Sequence, residues 1–416
     1  MKILYLHQYF NTPEMSGGTR SYEMARRLVE MGHEVHMITS WRGESDNKTW
    51  YETEVEGIHV HWLPVTYSNR MTYSERIKAF FKFALFSAIK ATSLEGDIVF
   101  ATSTPLTIAL PAVYSSKKLK IPMVFEVRDL WPELPIAMGA LKNPVMKFFA
   151  QKLENFAYKN SSSIVALSPG MRDGVIVTGY HKENVAVIPN SSDVELFDVD
   201  SSLVEGFRNE REWLMDRPLL VYAGTFGLIN GAGYMVNIAK YLLQNSSNIR
   251  ILLIGDGFEF EKVQLSAKEA GVLNKNLFIE REIPKKDIPI AFNAATASLS
   301  LFIDKPEMWV NSANKFFDGL AAKKPVLINY GGWQKELLEK HKAGISIWGL
   351  SDKDAAQRIS EVIHNKQWLE VAGQASYKMA VELFNRDILA LQLESILANA
   401  VNGNADKASI IAPGEY

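Results

Sequence analysis

The stretch "NKFFDGLAAKKPVLINYGGW", residues 314–333, decides the fold class. Its first half has helical periodicity. At about 100° per residue with Asn314 at zero, Asp318 falls near ~40° and Lys315 near ~100°, while Phe316, Phe317, Leu320 and Ala321 fill roughly 200–340°. Such an apolar arc packs on a sheet, leaving Asn314, Lys315 and Asp318 together on the other face close to the helix N-terminus. "KKPVLIN" then reads as a short strand buried on both faces. A helix running straight into a buried strand is the repeating step of a parallel α/β sheet.

The same step recurs along the chain. Before residue 190 the strand candidates are "KILYL" (2–6), "EVHMIT" (34–39), "IHVHWLP" (58–64), "DIVFAT" (97–102), "PMVFEV" (122–127), "SSIVALS" (162–168) and "NVAVIP" (184–189). Amphipathic segments separate most of them, such as "TRSYEMARRLVEMGH" (19–33), where Gly32 stands as a C-cap. A polar stretch at 189–218 interrupts the pattern, which restarts with "PLLVYAG" (218–224) and continues through "IRILLIGDG" (249–257), "NLFIE" (276–280), "ASLSLF" (297–302), "PVLIN" (325–329) and "GISIWG" (344–349). At 416 residues the chain exceeds what one core fills. The boundary falls within 190–215. The expected architecture is α/β, two doubly wound Rossmann-like domains facing each other across a cleft: 1–195 and 196–385, a last helix at 386–400 returning to the N-terminal domain, and a disordered tail at 401–416.

Composition narrows the function. Apolar residues at 47% and charged residues at 22% are ordinary for a soluble globular protein. A formal net charge of −2 offers no general reason for nucleic acid as partner. The absence of cysteine excludes disulfides, thiolate metal sites and cysteine nucleophiles. "MKILYLHQYF" is too short in apolar residues for a secretory signal, and no run of 18 apolar residues suits a spanning helix. A cytoplasmic location is expected.

In parallel sheets ligands bind beyond the carboxyl ends of the strands, which selects the loops that matter. After the first strand, "HQYFNTPEMSGGTR" (7–20) ends in Gly17-Gly18 and opens a helix. Adjacent glycines let backbone N–H groups approach an anion, though an ordinary flexible turn has the same composition. "GTFGLINGAG" (224–233), with Gly224, Thr225, Gly227 and Asn230, is again glycine-rich before a helix. It does not fit Gly-x-Gly-x-x-Gly, since counting from Gly231 places Val236 at the third glycine, so an NAD-type cofactor loses ground. In "RDLWPELP" (128–135), Arg128 and Asp129 stand where a strand ends, either a structural ion pair or functional groups at a cleft edge. Lys315 and Asp318 are likewise either a surface pair or a lysine for phosphate with a carboxylate for ribose hydroxyls.

Taken together, "SGGTR", "FEVRDLWPE", "VALSPGMRD", "VIPNSSDVELF", "YAGTFGLINGAGY", "LIGDG" and "NKFFDGLAAKKPVLINYGGW" occur in the order seen in retaining glycosyltransferases of family 4, which this chain resembles over about residues 1–400. The resemblance implies the GT-B fold. The combination of "EVRDLWPE" and "NKFFDGLAAKKPV" is most similar to N-acetyl-L-fucosamine transferases of bacterial O-antigen and capsule assembly. It implies that Gly17 and Gly18 approach the donor diphosphate and that Asp318, matching the second acid of the family's Glu-x7-Glu motif, binds ribose hydroxyls. This chain departs from the pattern at three positions: Val310 replaces the first acid, and Thr225 and Asn230 stand where the family has Arg and Lys. The resemblance then implies that Lys315 or Arg128 supplies the missing positive charge, with Arg128 and Asp129 as catalytic candidates and Gly224, Thr225, Gly227, Asn230, Asn314, Lys315 and Asp318 as the donor set.

No protein nucleophile is required if the acceptor hydroxyl attacks from the leaving-group side. Asp198-Val-Asp200 and Asp352-Lys-Asp354 read as chance strings, one in the linker and one at a helix start, so neither a metal nor a cofactor is expected. The implied partners are a UDP-sugar donor and a polyprenyl-diphosphate-linked saccharide acceptor. "SERIKAFFKFALFSAIK" (74–90) sets Arg76, Lys78, Lys82 and Lys90 on one half of a helix and Ile77, Phe80, Phe81 and Leu85 on the other, with Phe83 and Phe86 among the charges. Two readings fit, an interfacial helix on an anionic membrane or a core helix with solvated lysines. "MKFFAQKL" (146–153) is similar, and peripheral contact with the inner face of the cytoplasmic membrane follows from the first reading. The competing functions are a non-hydrolysing UDP-sugar 2-epimerase, an NAD-dependent oxidoreductase and a non-catalytic sugar-nucleotide binding protein.

Overall fold

The computed structural model describes residues 1–15, 17–67, 71–139 and 141–416; Ser16, which opens the "SGGTR" motif, lies outside them. The chain divides into two compact units, Met1–Pro189 with Asp387–Glu415, and Asn190–Arg386 with Tyr416.

The first unit runs β1 (Lys2–Leu6), α1 (Arg20–Glu30), β2 (Glu34–Trp41), β3 (Tyr51–Val55), β4 (Ile58–Pro64), α2 (Tyr73–Leu94), β5 (Ile98–Thr102), α3 (Ala109–Leu119), β6 (Met123–Val127), α4 (Glu133–Ala137), α5 (Pro144–Lys159), β7 (Ser163–Ala166), α6 (Pro169–Val177) and β8 (Val185–Val187). The strands form one sheet in the order β3-β4-β2-β1-β5-β6-β7-β8. All neighbours are parallel except β3 and β4, and the register sets Leu4 beside His36 and Val99. Leaving β1 the chain moves to β2 on one side and later to β5 on the other, so the loops after β1 and β5 flank a topological switch point.

The sequence reading missed β3. Its Tyr-Glu-Thr-Glu-Val pattern is mostly exposed because it is the edge of the sheet. Glu56 and Gly57, both at positive φ (47° and 76°), make the two-residue turn that folds it back on β4.

The second unit runs α7 (Ser201–Asn209), β9 (Leu219–Ala223), α8 (Tyr234–Gln244), β10 (Arg250–Ile254), α9 (Phe260–Glu269), β11 (Leu277–Glu280), α10 (Ile288–Ala294), β12 (Ala297–Ser300), α11 (Asn314–Ala321), β13 (Val326–Ile328), α12 (Trp333–His341), β14 (Gly344–Ser346), α13 (Asp352–Ile363) and α14 (Lys366–Glu382). Its sheet is parallel in the order β11-β10-β9-β12-β13-β14, with the switch point between β9 and β12.

The chain ends as α15 (Arg386–Val401) and α16 (Ala408–Ile411). The expected disordered tail at 401–416 is therefore a correction. Ala408 and Ala412 join the core of the first unit, the Val187 N–H donates to the Ala412 carbonyl at 2.8 Å, and Arg172 donates to the Pro413 carbonyl at 2.8 Å. The tail covers the open edge of β8, which a parallel edge strand needs. Too few apolar residues lie in 402–416 to predict a local core. The partner that orders them is distant in sequence.

The first unit is locked by a buried ion pair. Arg20 at the start of α1 meets Glu126 of β6 at 3.0 Å, and the same guanidinium donates to the Ile188 carbonyl at 2.9 Å and the Pro189 carbonyl at 2.5 Å. Thr102 donates to the other carboxylate oxygen at 2.6 Å. One arginine thus ties α1, β6 and the end of β8. Glu126→Ala leaves that guanidinium without its counter-charge, and urea unfolding is expected to register a loss of about 3–5 kcal/mol; a loss below about 1 kcal/mol would assign the pair a marginal role.

Candidate functional site

In the second unit the glycine loop leaves β9 at the switch point. Gly231, at φ +60°, lies against the Phe302 backbone, where a Cβ would come within 2.6 Å of the carbonyl, so no side chain fits. The Ile303 N–H donates to the Ile229 carbonyl at 3.0 Å, holding the loop to the segment after β12. Asn230 Oδ1 would lie 2.7 Å from a Cβ at Gly227, and the Tyr222 hydroxyl donates to the Thr225 carbonyl at 2.8 Å. The loop is a rigid turn built around its glycines.

Lys315 lies beneath it. Its Nζ sits 4.8 Å from the Tyr222 ring centre and 5.3 Å from that of Phe302, and its Cε would lie 3.1 Å from a Cβ at Gly224. This corrects the expected face sharing. Asn314 is exposed and Asp318 half-buried, but Lys315 is buried because two aromatic faces receive its stem and charge. Burial pushes its amine down to about 8, with Asp318 acting in the opposite direction. Among the described residues no carboxylate lies within ion-pair distance of this cation. The first turn of α11 has no side-chain cap, so its N–H groups add to the same positive end.

Asp318 turns toward the start of the unit instead. It accepts a hydrogen bond from the Ser192 hydroxyl, while Arg386 pairs with Asp193 and donates to the Ser191 carbonyl. Burial raises the Asp318 carboxyl to about 6, opposed by the Ser192 bond and by the charges of Arg386 and Lys285. Lys315, Gly224 and the rings of Tyr222 and Phe302 come together; Asp318 forms a second group with Ser192. The rings were missed because both lie in segments that read simply as buried strand.

In the first unit Gly17 has φ +123°, and a Cβ there would lie 2.7 Å from Asn11 Nδ2. That amide donates to the Gly18 carbonyl at 3.2 Å. Both glycines are exposed just before α1. Arg128 and Asp129 follow β6 but do not pair. The Arg128 N–H donates to Ser103 Oγ at 2.9 Å and its guanidinium lies 3.5 Å from His7 Nε2. Asp129 accepts from Thr104 at 3.2 Å, and burial raises its carboxyl. Thr104 has φ +91°, a strained conformation at the carboxyl end of β5. His7, buried after β1, is held well below its usual range by burial and by Arg128 and Arg42. It was missed because a histidine ending a strand gives no local signal.

Residues 17–191 match the glycosyl transferase 4-like domain and residues 204–379 match glycosyl transferases group 1, between them most of the chain. The chain is a GT-B glycosyltransferase. It is 22% identical over 294 residues to WcaI of Escherichia coli K12, named as a colanic acid biosynthesis glycosyl transferase, covering 67% of this chain and 71% of that one. Among solved structures, Anabaena HepE in complex with UDP and glucose superposes with a TM-score of 0.72 at 16% identity, covering 96% of this chain and all (100%) of that one. WaaG, a glycosyltransferase involved in lipopolysaccharide biosynthesis, superposes with a TM-score of 0.68 at 14% identity, covering 95% and 99%. The group 1 assignment removes the epimerase, oxidoreductase and binding-protein readings.

The Asp318 carboxyl gives this glycosyltransferase a measurable electrostatic cost. Its folded pKa lies above its unfolded one, so its contribution to stability is full below about 3.8 and lost as pH rises through about 6. Asp318→Asn, which keeps an acceptor for Ser192, is expected to raise the urea stability of the second unit at pH 7.5 by about 1 kcal/mol after discounting for partial exposure, with no gain at pH 4.5. Equal effects at both pH values would contradict a buried, penalised carboxylate.

Proposed function

We propose that this enzyme is a retaining transferase that moves a sugar, N-acetyl-L-fucosamine by resemblance, from a UDP-linked donor to a polyprenyl-diphosphate-linked saccharide in bacterial surface polysaccharide assembly. The observation that carries the reading is Lys315: a buried cation with no acid partner among the described residues, aimed at a glycine turn on the carboxyl edge of β9. Such a charge is maintained at a cost, and a phosphate is the ligand that repays it. The second unit binds the donor through Gly224, Thr225, Gly227, Asn230, Asn314 and Lys315, with Asp318 on the ribose hydroxyls in place of Ser192. By the family resemblance, the Gly17 and Gly18 amides are assigned to the donor diphosphate, Arg128 is a candidate for the missing positive charge and Asp129 a catalytic candidate.

In this mechanism the bond from the anomeric carbon to the phosphate oxygen breaks, and its electron pair leaves on the diphosphate. The Lys315 ammonium and the backbone N–H groups stabilise that developing charge. The acceptor hydroxyl attacks the same face, and its proton passes to the departing phosphate oxygen. No protein nucleophile enters. Acceptor-dependent UDP release from UDP-sugars supports transfer, whereas turnover of the sugar without acceptor would refute it.

Lys315→Met is expected to weaken UDP binding about tenfold or more by calorimetry at pH 7, since a charged hydrogen bond contributes about 1.5–3 kcal/mol. In the wild type the amine loses its proton as pH rises through about 8, so affinity falls above that pH and the variant loses the step. A wild-type affinity flat from pH 7 to 9.5 would remove Lys315 from the diphosphate site.

The acceptor arrives by the membrane, and we propose that α2 and α5 meet that surface. On α2 the buried stripe is Ala79, Phe83, Ala84, Ser87 and Ala91, so Phe83 does not lie among the charges as the helical projection placed it. Small residues let α2 lie close on α3, and this leaves Phe81 (54% exposed), Leu85 (62%), Phe86 (42%) and Ile89 (59%) facing outward beside Lys78 and Lys82. α3, with Lys117 and Lys118, packs against both α2 and α5, and α5 exposes Phe148 (53%) and Phe149 (65%) with Lys152 stacked on Phe148. Lys90, by contrast, pairs with Glu52 at 2.6 Å and is not a headgroup ligand. No helix among the described residues is long and apolar enough to cross a membrane. Replacing Lys78, Lys82 and Lys152 together by Glu is expected to abolish co-sedimentation with phosphatidylglycerol vesicles; unchanged co-sedimentation would refute the interfacial face.

A further inference from the structure

The second unit holds a cavity of about 440 Å³ at the edge of its sheet opposite the glycine loop. Pro218 stands before β9, Thr296 before β12 and Lys324 before β13, so these lining residues mark the amino-terminal ends of the strands. The run from Pro218 to Gly224 covers roughly 20 Å of extended chain, which separates this cavity from the donor loop. Helix α7, the end of α10 and the junction of α13 with α14 supply the other walls.

Four cations, Arg208, Arg217, Lys324 and Lys366, line the cavity together with one carboxylate, Asp216. Among the described residues none of the four makes an ion pair. Arg208 belongs to the frame: it donates to the Ala294 carbonyl at 2.7 Å, the Met215 carbonyl at 2.9 Å and the Arg217 carbonyl at 2.8 Å. Arg217 donates to the Trp213 carbonyl at 3.0 Å. The half-buried Lys324 ammonium has no acceptor among the described residues. Burial and then the charge of Arg208 push its amine down to about 8, and no carboxylate opposes them. A desolvated lysine beside an arginine is unfavourable alone and becomes favourable once a dianion joins them.

The remaining walls say what the dianion is attached to. Asn293 donates through Nδ2 to the Phe197 and Pro289 carbonyls, which leaves its Oδ1 as an acceptor. Thr296 Oγ1 accepts from the Leu219 N–H at 3.0 Å, and its own hydrogen remains to donate. Asp216 and Asn293 thus present acceptors, which repel a bare phosphate but bind hydroxyl hydrogens. Ile363 and Leu369 add a carbon surface for the C–H face of a small ring. The volume lies within the ~300–1,000 Å³ common for small-molecule sites.

We propose that Lys324, beside Arg208 and with Lys366 on the exposed side, binds the phosphate of a small polyol monophosphate, whose hydroxyl groups meet Asp216, Asn293 and Thr296. This is a second ligand site in the second unit, and it does not depend on the donor assignment.

Calorimetric titration of the full-length protein with ribose 5-phosphate, ribose and inorganic phosphate, in excess UDP to fill the donor site, tests it. The wild type is expected to bind ribose 5-phosphate at least tenfold more tightly than either ribose or inorganic phosphate. Lys324→Gln should weaken ribose 5-phosphate about tenfold or more, with UDP affinity within twofold and an unchanged circular dichroism spectrum. Asp216→Ala, at an exposed position, should weaken ribose 5-phosphate and strengthen inorganic phosphate, a reversal that a purely structural role does not produce. No binding of ribose 5-phosphate by the wild type, or equal affinity for inorganic phosphate, overturns the site without involving any variant. Binding that disappears when UDP is added also overturns it, because the ligand then occupies the donor site. Failure of the wild type to bind UDP strikes the donor reading alone, since Lys324→Gln still reports on this cavity.

Discussion

Parallel strands can be joined only by crossovers that carry the chain back to the amino-terminal edge. That constraint organises both units. In each sheet the loops after the strands gather at one edge, and the strand order reverses there once, between β1 and β5 and again between β9 and β12. His7, Arg42, Thr104, Arg128 and Asp129 stand on that edge in the first unit because each follows a parallel strand. Gly224 and Phe302 stand on it in the second for the same reason, and α11 follows with Lys315.

Buried charge is compensated in two different ways. Arg20 and Glu126 are buried but fully compensated, through each other, Thr102 and two carbonyls, and they hold the frame. Lys315 is buried against two aromatic faces and makes no ion pair among the described residues; its amine is driven down by that burial, with Asp318 opposing the shift. A compensated pair stabilises a scaffold, whereas an uncompensated charge in a dry site marks a place that an oppositely charged ligand completes. The two buried cations thus differ in how they are compensated within one protein, which is why Lys315 and not Arg20 is the proposed donor ligand.

Helices α2 and α5 follow a different logic. α2 spends its small residues, Ala79, Ala84, Ser87 and Ala91, on close packing and leaves its aromatics outside. In water that arrangement is unfavourable for a monomeric surface. Beside lysines, and in a chain whose total charge is negative, it becomes intelligible as a local cationic and apolar face. Glu52 takes Lys90 out of this face and so limits its extent toward the end of the helix.

Most of the fold was legible because continuous apolar runs such as "KILYL" and "RILLI" can be little else than strands buried on both faces, and the helices between them force a parallel sheet. The edge strand β3 escaped this test, since an exposed edge needs no apolar run. The tail escaped it too, because α16 finds its apolar partners only on the far-removed β8 and core. Among the candidate residues, the glycine turns at 17–18 and 224–231 were visible as composition, and Lys315 and Asp318 as a spacing. Local pattern therefore suffices to say which segments are strands, which loops follow them, and which of those loops can admit an anion. The packed chain alone turns Lys315 inward to Tyr222 and Phe302 and Asp318 toward Ser192. Side-chain direction and desolvation depend on neighbours brought together across tens to hundreds of residues, and local periodicity carries no record of them.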